Sequence, residues 1–144
     1  MFTQNKNLTV SDVMLSFNDF PVVSESTILK EALDKMDTIG LGIACIVGKN
    51  KELLGVITDG DIRRKLISIQ KPLAAFFIDD TINQAARNPI VVSSDMSLAD
   101  AVKLMEEKQI WDLPVVDGAT LVGLLHLHAA IKVLLSQDFI SNYS

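Results

Sequence analysis

Basic residues, aromatics and cysteine are all scarce in this sequence. Thirteen Lys and Arg stand against eighteen Asp and Glu, a formal net charge of −5, so no global positive field would draw in nucleic acid. No basic run interleaved with aromatics offsets this, and no nucleic-acid partner is expected. The single cysteine, Cys45, excludes an intrachain disulfide and a zinc–thiolate cluster. It lies within the apolar run Ile43 to Val47, where it reads as a buried small hydrophobe. No stretch approaches the ~20 apolar residues of a membrane span. Met1 to Asn7 is polar where a signal peptide would be apolar. No membrane partner is expected, and the cytoplasm follows by default.

What the chain does have is apolar residues, at 49% against 22% charged, with a mean hydropathy of +0.32. That balance argues against disorder and for some apolar surface covered by a partner. A length of 144 residues suits one compact unit or two small halves that share a core.

The second alternative is favoured by an internal repeat. Thr27 to Met36 lies over Met96 to Met105, with Ala32 on Ala101, a shift of 69 residues. At the same shift Cys45-Ile46-Val47 falls on Pro114-Val115-Val116. One residue shorter, Leu53 to Ile57 falls on Leu121 to Leu125 and Pro21-Val22-Val23 on Pro89-Ile90-Val91. Four matching segments in one order mark a duplication. Each copy reads β-α-β-β-α, which predicts an α+β (mixed α/β) fold. In the first copy Pro21 opens a short strand. Ser24 to Thr27 offers helix caps with Glu31 close by, and the stripe Ile28, Leu29, Ala32, Leu33, Met36 has helical spacing. Gly40 ends that helix. Leu41 to Val47 and Leu53 to Thr58 are strands about the turn Gly48 to Lys51, and Asp59-Gly60-Asp61 opens a second helix. In the second copy Asp95 or Ser97 caps the helix. Ile110 to Val116 and Leu121 to Leu127 are strands about the Asp117-Gly118 turn. The boundaries are 8–68 and 79–135, with a connection at 69–78 and a tail at 136–144. The connection contains Gln70-Lys71-Pro72 and no long flexible stretch, so the halves are expected to dock with two-fold packing.

The polar cluster Thr58-Asp59-Gly60-Asp61-Ile62-Arg63-Arg64 sits where an apolar strand meets a helix start. Free N–H groups and the helix dipole favour a phosphate there. Thr58 can donate a hydroxyl, Gly60 permits close backbone approach, and Asp61 can accept from the two vicinal hydroxyls of a ribose. Arg63 or Arg64 is near enough to touch an anion. The competing reading is that Asp59 or Asp61 caps the helix and the arginines are solvated.

The repeat, with its Gly-apolar-apolar-Thr-x-x-Asp pattern, resembles the CBS domain, which pairs into a Bateman module that commonly binds adenine nucleotides. The resemblance implies that Thr58, Gly60 and Asp61 contact phosphate and ribose. It also implies that Ile110, Trp111 and Pro114 lie beside the base, with Ile90 completing the site. More specifically, Val10-Ser11-Asp12-Val13-Met14, Thr58 to Arg64 and Gly123 to His128 resemble the C-terminal half of arabinose 5-phosphate isomerases of the KpsF/GutQ type. Those enzymes join a sugar isomerase (SIS) domain to a CBS pair and supply a precursor of Kdo, a sugar of lipopolysaccharide and capsule. Sugar nucleotidyltransferases with CBS pairs share the Thr-Asp-Gly-Asp-x-Arg-Arg signature.

Two departures qualify that resemblance. Nothing ahead of Val10 in these residues can hold an isomerase site. In the second copy Ala129 replaces the ribose-binding Asp and His126 the Thr, a loss of roughly 1.5–3 kcal/mol for a nucleotide in the usual pose. The second site is therefore expected to be weak, altered or vacant. His126 and His128, two apart on a predicted strand, share a face. A metal there lacks a visible third ligand, so a polar contact to a ligand or across a dimer is the preferred reading. Trp111 either stacks on a base or anchors a dimer. The chain has no nucleophile–base pair and no glycine loop over a phosphate, so it is not expected to be an enzyme on its own. The expected function is a regulatory module without a required cofactor. Its ligand would be AMP, ATP or a CMP-sugar such as CMP-Kdo, and its partners a second copy and an SIS or other catalytic domain in cis or trans. Two other functions stay open: a ligand-free dimerisation module, and the regulatory part of a sugar nucleotidyltransferase. Control would come from differential binding to alternative arrangements of the halves.

Overall fold

Residues 8–70 and 72–142 are described by the computed structural model, with side chains to position 136. The polar start 1–7, Lys71 of the connection and the end of the tail at 143–144 lie outside the described residues. Packing divides the described residues into two units, one formed by those of 17–89 with 119–121 and the other by 8–16, 90–118 and 122–142.

The first unit follows the predicted order. Strand β1 (Val22–Ser24) leads through helix α1 (Leu29–Ile39) to strand β2 (Ile43–Val47), then to strand β3 (Leu53–Thr58) and helix α2 (Asp59–Ser68). The sheet order is β1-β2-β3, parallel between β1 and β2 and antiparallel between β2 and β3. Ile43 to Ile46 are all buried, Cys45 included, which is why β2 reads as an unbroken apolar run rather than an alternating one. Helix α1 buries Leu29, Ala32 and Met36 and ends at Gly40, whose φ of 86° is a left-handed conformation suited to glycine.

The start of α1 departs from expectation. Its N-cap is Ile28, with no side-chain cap, and the Leu29 N–H donates instead to the Asp79 carbonyl at 2.9 Å. The Thr27 hydroxyl accepts from the Ser24 N–H, and Glu31 is not used as a cap. Asp79 follows helix α3 (Leu73–Ile78) and precedes helix α4 (Thr81–Gln84), so the residue just after the expected connection serves to close the helix. Thr81 fastens the same corner, donating from both its N–H and its hydroxyl to the Thr27 carbonyl at 2.8 Å.

The second unit repeats the plan with one strand reduced. Helix α5 (Leu98–Lys108) buries Leu98, Ala101 and Met105, each 69 residues after its counterpart in α1. The Ser97 side chain caps it by accepting from the Asp100 N–H at 3.1 Å. Strands β4 (Asp112–Asp117) and β5 (Thr120–His126) form a two-stranded sheet that turns through Gly118, at φ 64°. Helix α6 (Leu127–Asn142) follows directly, continuing into most of the tail. The strand expected at Pro89-Ile90-Val91 is only a bridge one residue later, Val92 to Val115. Ile90 and Val91 are 40% exposed while Val92 is buried; without burial those residues have little reason to pair. Residues 8–16, assigned from sequence to the first copy, pack instead with the second. The Val10 N–H donates to the Met96 carbonyl and the Leu98 N–H to the Leu8 carbonyl, both at 2.9 Å, and Val10 sits in the core with Leu98, Met105 and Leu125.

Each unit therefore holds its own apolar core in a mixed α/β fold, with six α-helices and two small sheets among the described residues.

Candidate functional site

The cluster at the β3–α2 junction is ordered by its own chemistry. Thr58 has extended dihedrals (φ −120°, ψ 164°), as an N-cap requires. Its hydroxyl accepts from the Asp61 N–H at 3.2 Å, and Asp61 Oδ2 accepts from the Thr58 N–H at 3.1 Å. This reciprocal capping box satisfies two donors that a helix start otherwise leaves orphaned. The Asp59 N–H is taken by the Gly42 carbonyl at 3.0 Å. Asp61 Oδ1 accepts from Arg64 Nη2 at 2.8 Å. A methyl group placed on Gly60 would lie 3.2 Å from Arg64 Nη1, so the guanidinium rests beside the opening turn. Thr58, Gly60, Asp61 and Arg64 thus lie together at this turn. The box fixes the carboxylate through Oδ2, while Oδ1 pairs with the exposed Arg64.

The corresponding junction of the second unit has different chemistry. His126 stands where Thr58 does, Ala129 where Asp61 does, and Trp111 where Gly42 does. The backbone contact is preserved, with the Leu127 N–H donating to the Trp111 carbonyl at 2.8 Å. The capping box is not. His126 Nδ1 instead lies 2.7 Å from Asp112 Oδ1, and both side chains are largely enclosed. Burial holds the Asp112 carboxyl above its ordinary range, and the hydrogen bond and charge of His126 draw it back only in part. His128 does not share a strand with His126: β5 ends at His126, and His128 is the second residue of α6, exposed, with ring centroids 6.5 Å apart. The strand-face argument for that pair is therefore corrected, since the chain turns helical before the second histidine. Among the described residues no group of three or more His, Cys, Asp or Glu is placed to hold a metal.

The residues assigned to a base divide by exposure. Trp111 is 71% exposed and Ile90 40%, whereas Ile110 is half-buried and Pro114 is buried within β4. Asp112 was not singled out from sequence as a partner for His126. An acid between Trp111 and Leu113 in an apolar run was the available signal, but a partner 14 residues away was not readable. No described helix is long and apolar enough to cross a membrane.

Comparison with known proteins extends this picture. The CBS-domain family model matches residues 10–68 and 82–136. Arabinose 5-phosphate isomerase KdsD of Yersinia pestis is 32% identical over 125 residues, which cover 87% of this chain and 37% of that protein. The uncharacterized protein RP505 of Rickettsia prowazekii is 30% identical over 132 residues, covering 91% and 40%. The chain thus spans about two fifths of the length of these curated relatives. Among solved structures, that of CBSX2 in complex with AMP superimposes with a TM-score of 0.78 at 27% identity, covering 90% of this chain and 97% of the other. CBSX2 from Arabidopsis thaliana, in a second structure, gives 0.76 at 25%, covering 90% and 96%.

Proposed function

Because this chain belongs to the CBS-domain family and carries two copies of the domain in tandem, we propose that it is a regulatory module that binds a ribonucleotide at Thr58, Gly60 and Asp61 of the first copy. The observation that carries the reading is the capping box. It presents a carboxylate and a helix N-terminus side by side, the pairing that a ribose and its phosphate need. The resemblance to CBSX2, whose structure contains AMP, supports an adenine nucleotide as the ligand class. The resemblance to KdsD supports a sugar-phosphate isomerase as the controlled enzyme, in cis or in trans, and makes a CMP-sugar the competing ligand. In the second copy Ala129 offers no acceptor for a ribose diol, so the first copy carries the binding. Ile90, Ile110, Trp111 and Pro114 remain the proposed contacts for the base, with Trp111 the most exposed of them. His126 and His128 are proposed as polar contacts outside the first copy's motif.

Titration calorimetry with AMP, ATP and CMP-Kdo tests the reading, repeated on Asp61→Asn. The amide can still accept from the Thr58 N–H, so the helix cap is largely kept while the charge on the diol acceptor is lost. Binding that weakens by about tenfold or more, as loss of a charge-assisted hydrogen bond predicts, supports a nucleotide sensor. No heat with any of the three leaves the motif a helix cap and favours a dimerisation module. The exposed apolar residues Ile67, Leu73 and Ile78 (78%, 57% and 66%) are the observation behind that second reading.

A further inference from the structure

We infer that Arg64 is a latch on this site: it occupies Asp61 while the protein is free and passes to the ligand's phosphate on binding, so that the site selects phosphorylated ligands over bare nucleosides. The inference rests on the proposal that Thr58 and Asp61 receive a ribose phosphate. Both Asp61 oxygens already accept a hydrogen bond, so a diol that approaches either one competes with its present donor for space. Oδ2 is held by the Thr58 N–H at 3.1 Å and Oδ1 by Arg64 Nη2 at 2.8 Å. The first contact belongs to the helix cap, and breaking it would fray α2. The second is an ion pair whose arginine side chain is 62% exposed, against 25% for the aspartate. Exposed pairs of this kind contribute little stability, so Arg64 is the partner that a ligand displaces.

What happens after displacement depends on the ligand. An uncharged nucleoside takes up Asp61 and leaves the guanidinium with only water. A nucleotide brings an anion to the opening turn, where Arg64 Nη1 and Nη2 already lie 3.2 and 3.3 Å from the place a side chain on Gly60 would occupy. There one charge-assisted bond replaces another, and the displacement costs almost nothing. The same arrangement gives Gly60 a second use, since a Cβ there would press the guanidinium back by a few tenths of an ångström. Arg63, one position earlier and also exposed, carries the same charge and serves as the control for a merely electrostatic effect.

The test is calorimetric titration of the full chain with two matched pairs, AMP with adenosine and CMP with cytidine, for the unmodified protein, Arg64→Gln and Arg63→Gln. Circular dichroism checks that each variant is folded. Arg64→Gln is expected to bind the phosphorylated member about tenfold or more weakly and the bare nucleoside about two to five times more tightly. Arg63→Gln is expected to leave the ratio between the two close to that of the unmodified protein. Equal weakening of both members by Arg64→Gln, or an equal effect of Arg63→Gln, overturns the latch while leaving the nucleotide site standing. Failure of the unmodified chain to bind any of the four, or ATP or CMP-Kdo, overturns the site itself and the latch with it, and binding of ATP or CMP-Kdo without AMP or CMP overturns the latch alone.

Discussion

Asp61 closes the cap of α2 and is also the proposed acceptor for the ligand, so the strength of the cap is a quantity to measure in its own right. Thr58→Ala removes the hydroxyl that accepts from the Asp61 N–H and is expected to cost about 1 kcal/mol of stability, as loss of a cap does, measured by urea unfolding. Two other carboxylates predict opposite pH dependences. Asp112 is raised from its ordinary 3.8 by burial. Between that value and the raised one, the native state keeps a proton that the unfolded chain has released, so its contribution to stability is full below 3.8 and is lost as pH rises through the folded value. Asp117 is lowered, because it accepts from the Ser94 N–H at 3.0 Å and the Ser94 hydroxyl at 2.7 Å. Its contribution is present above 3.8 and is lost as pH falls through the folded value. Unfolding curves across the acid range should therefore show stability relative to Asp112→Asn declining with rising pH, and stability relative to Asp117→Asn increasing. Slopes of the same sign for the two variants would show that burial does not dominate at Asp112.

At the scale of elements, the two copies solve one problem twice. The last strand of each accepts an extra backbone segment: Val56 exchanges hydrogen bonds with Ala86 at 3.0 and 2.8 Å, and Leu124 with Leu15 at 3.1 and 2.8 Å. Both approaches run over a glycine. A Cβ on Gly55 would lie 2.8 Å from the Ala86 carbonyl oxygen, and one on Gly123 would lie 2.9 Å from that of Leu15. Backbone on the far side cannot rotate away as a side chain can. Gly55→Ala and Gly123→Ala are each expected to cost about 1–3 kcal/mol through overpacking, read as a lower urea midpoint with an unchanged slope. The glycine of the Gly-x-x-Thr pattern, three residues before Thr58, is thus required by packing. The helix starts do not match in the same way. Ser97 caps α5 with its own side chain, whereas α1 borrows the Asp79 carbonyl.

For the whole molecule the open variable is association. The mean hydropathy of +0.32 reappears as exposed apolar side chains in both units, among them Ile67, Ile78, Trp111 and Leu135. Sedimentation equilibrium is expected to give a dimer. Trp111→Ala is expected to weaken it by more than about 1 kcal/mol if this side chain is an anchor. An unchanged dimer combined with weaker nucleotide binding would assign Trp111 to the ligand instead.

The duplication, the β-α-β-β-α order of the first copy and the motif from Thr58 to Arg64 are legible in the sequence alone. Those features follow from local rules: apolar residues recur at helical spacing in Leu29, Ala32 and Met36 and again in Leu98, Ala101 and Met105, and a capping box is closed between residues three apart. Other features were decided only by the tertiary structure, because they are contacts between groups distant along the chain. The Asp79 carbonyl closes α1 from fifty residues downstream, and residues 8–16 pack with the second copy rather than the first. His126 finds its partner in Asp112 on the neighbouring strand, while the helical turn at Leu127 takes His128 off the face that alternation predicts. Periodicity reports which side of an element is buried. It carries no information on which distant group lies against that side, and at the second junction such a group, the Asp112 carboxylate, sets the polar chemistry.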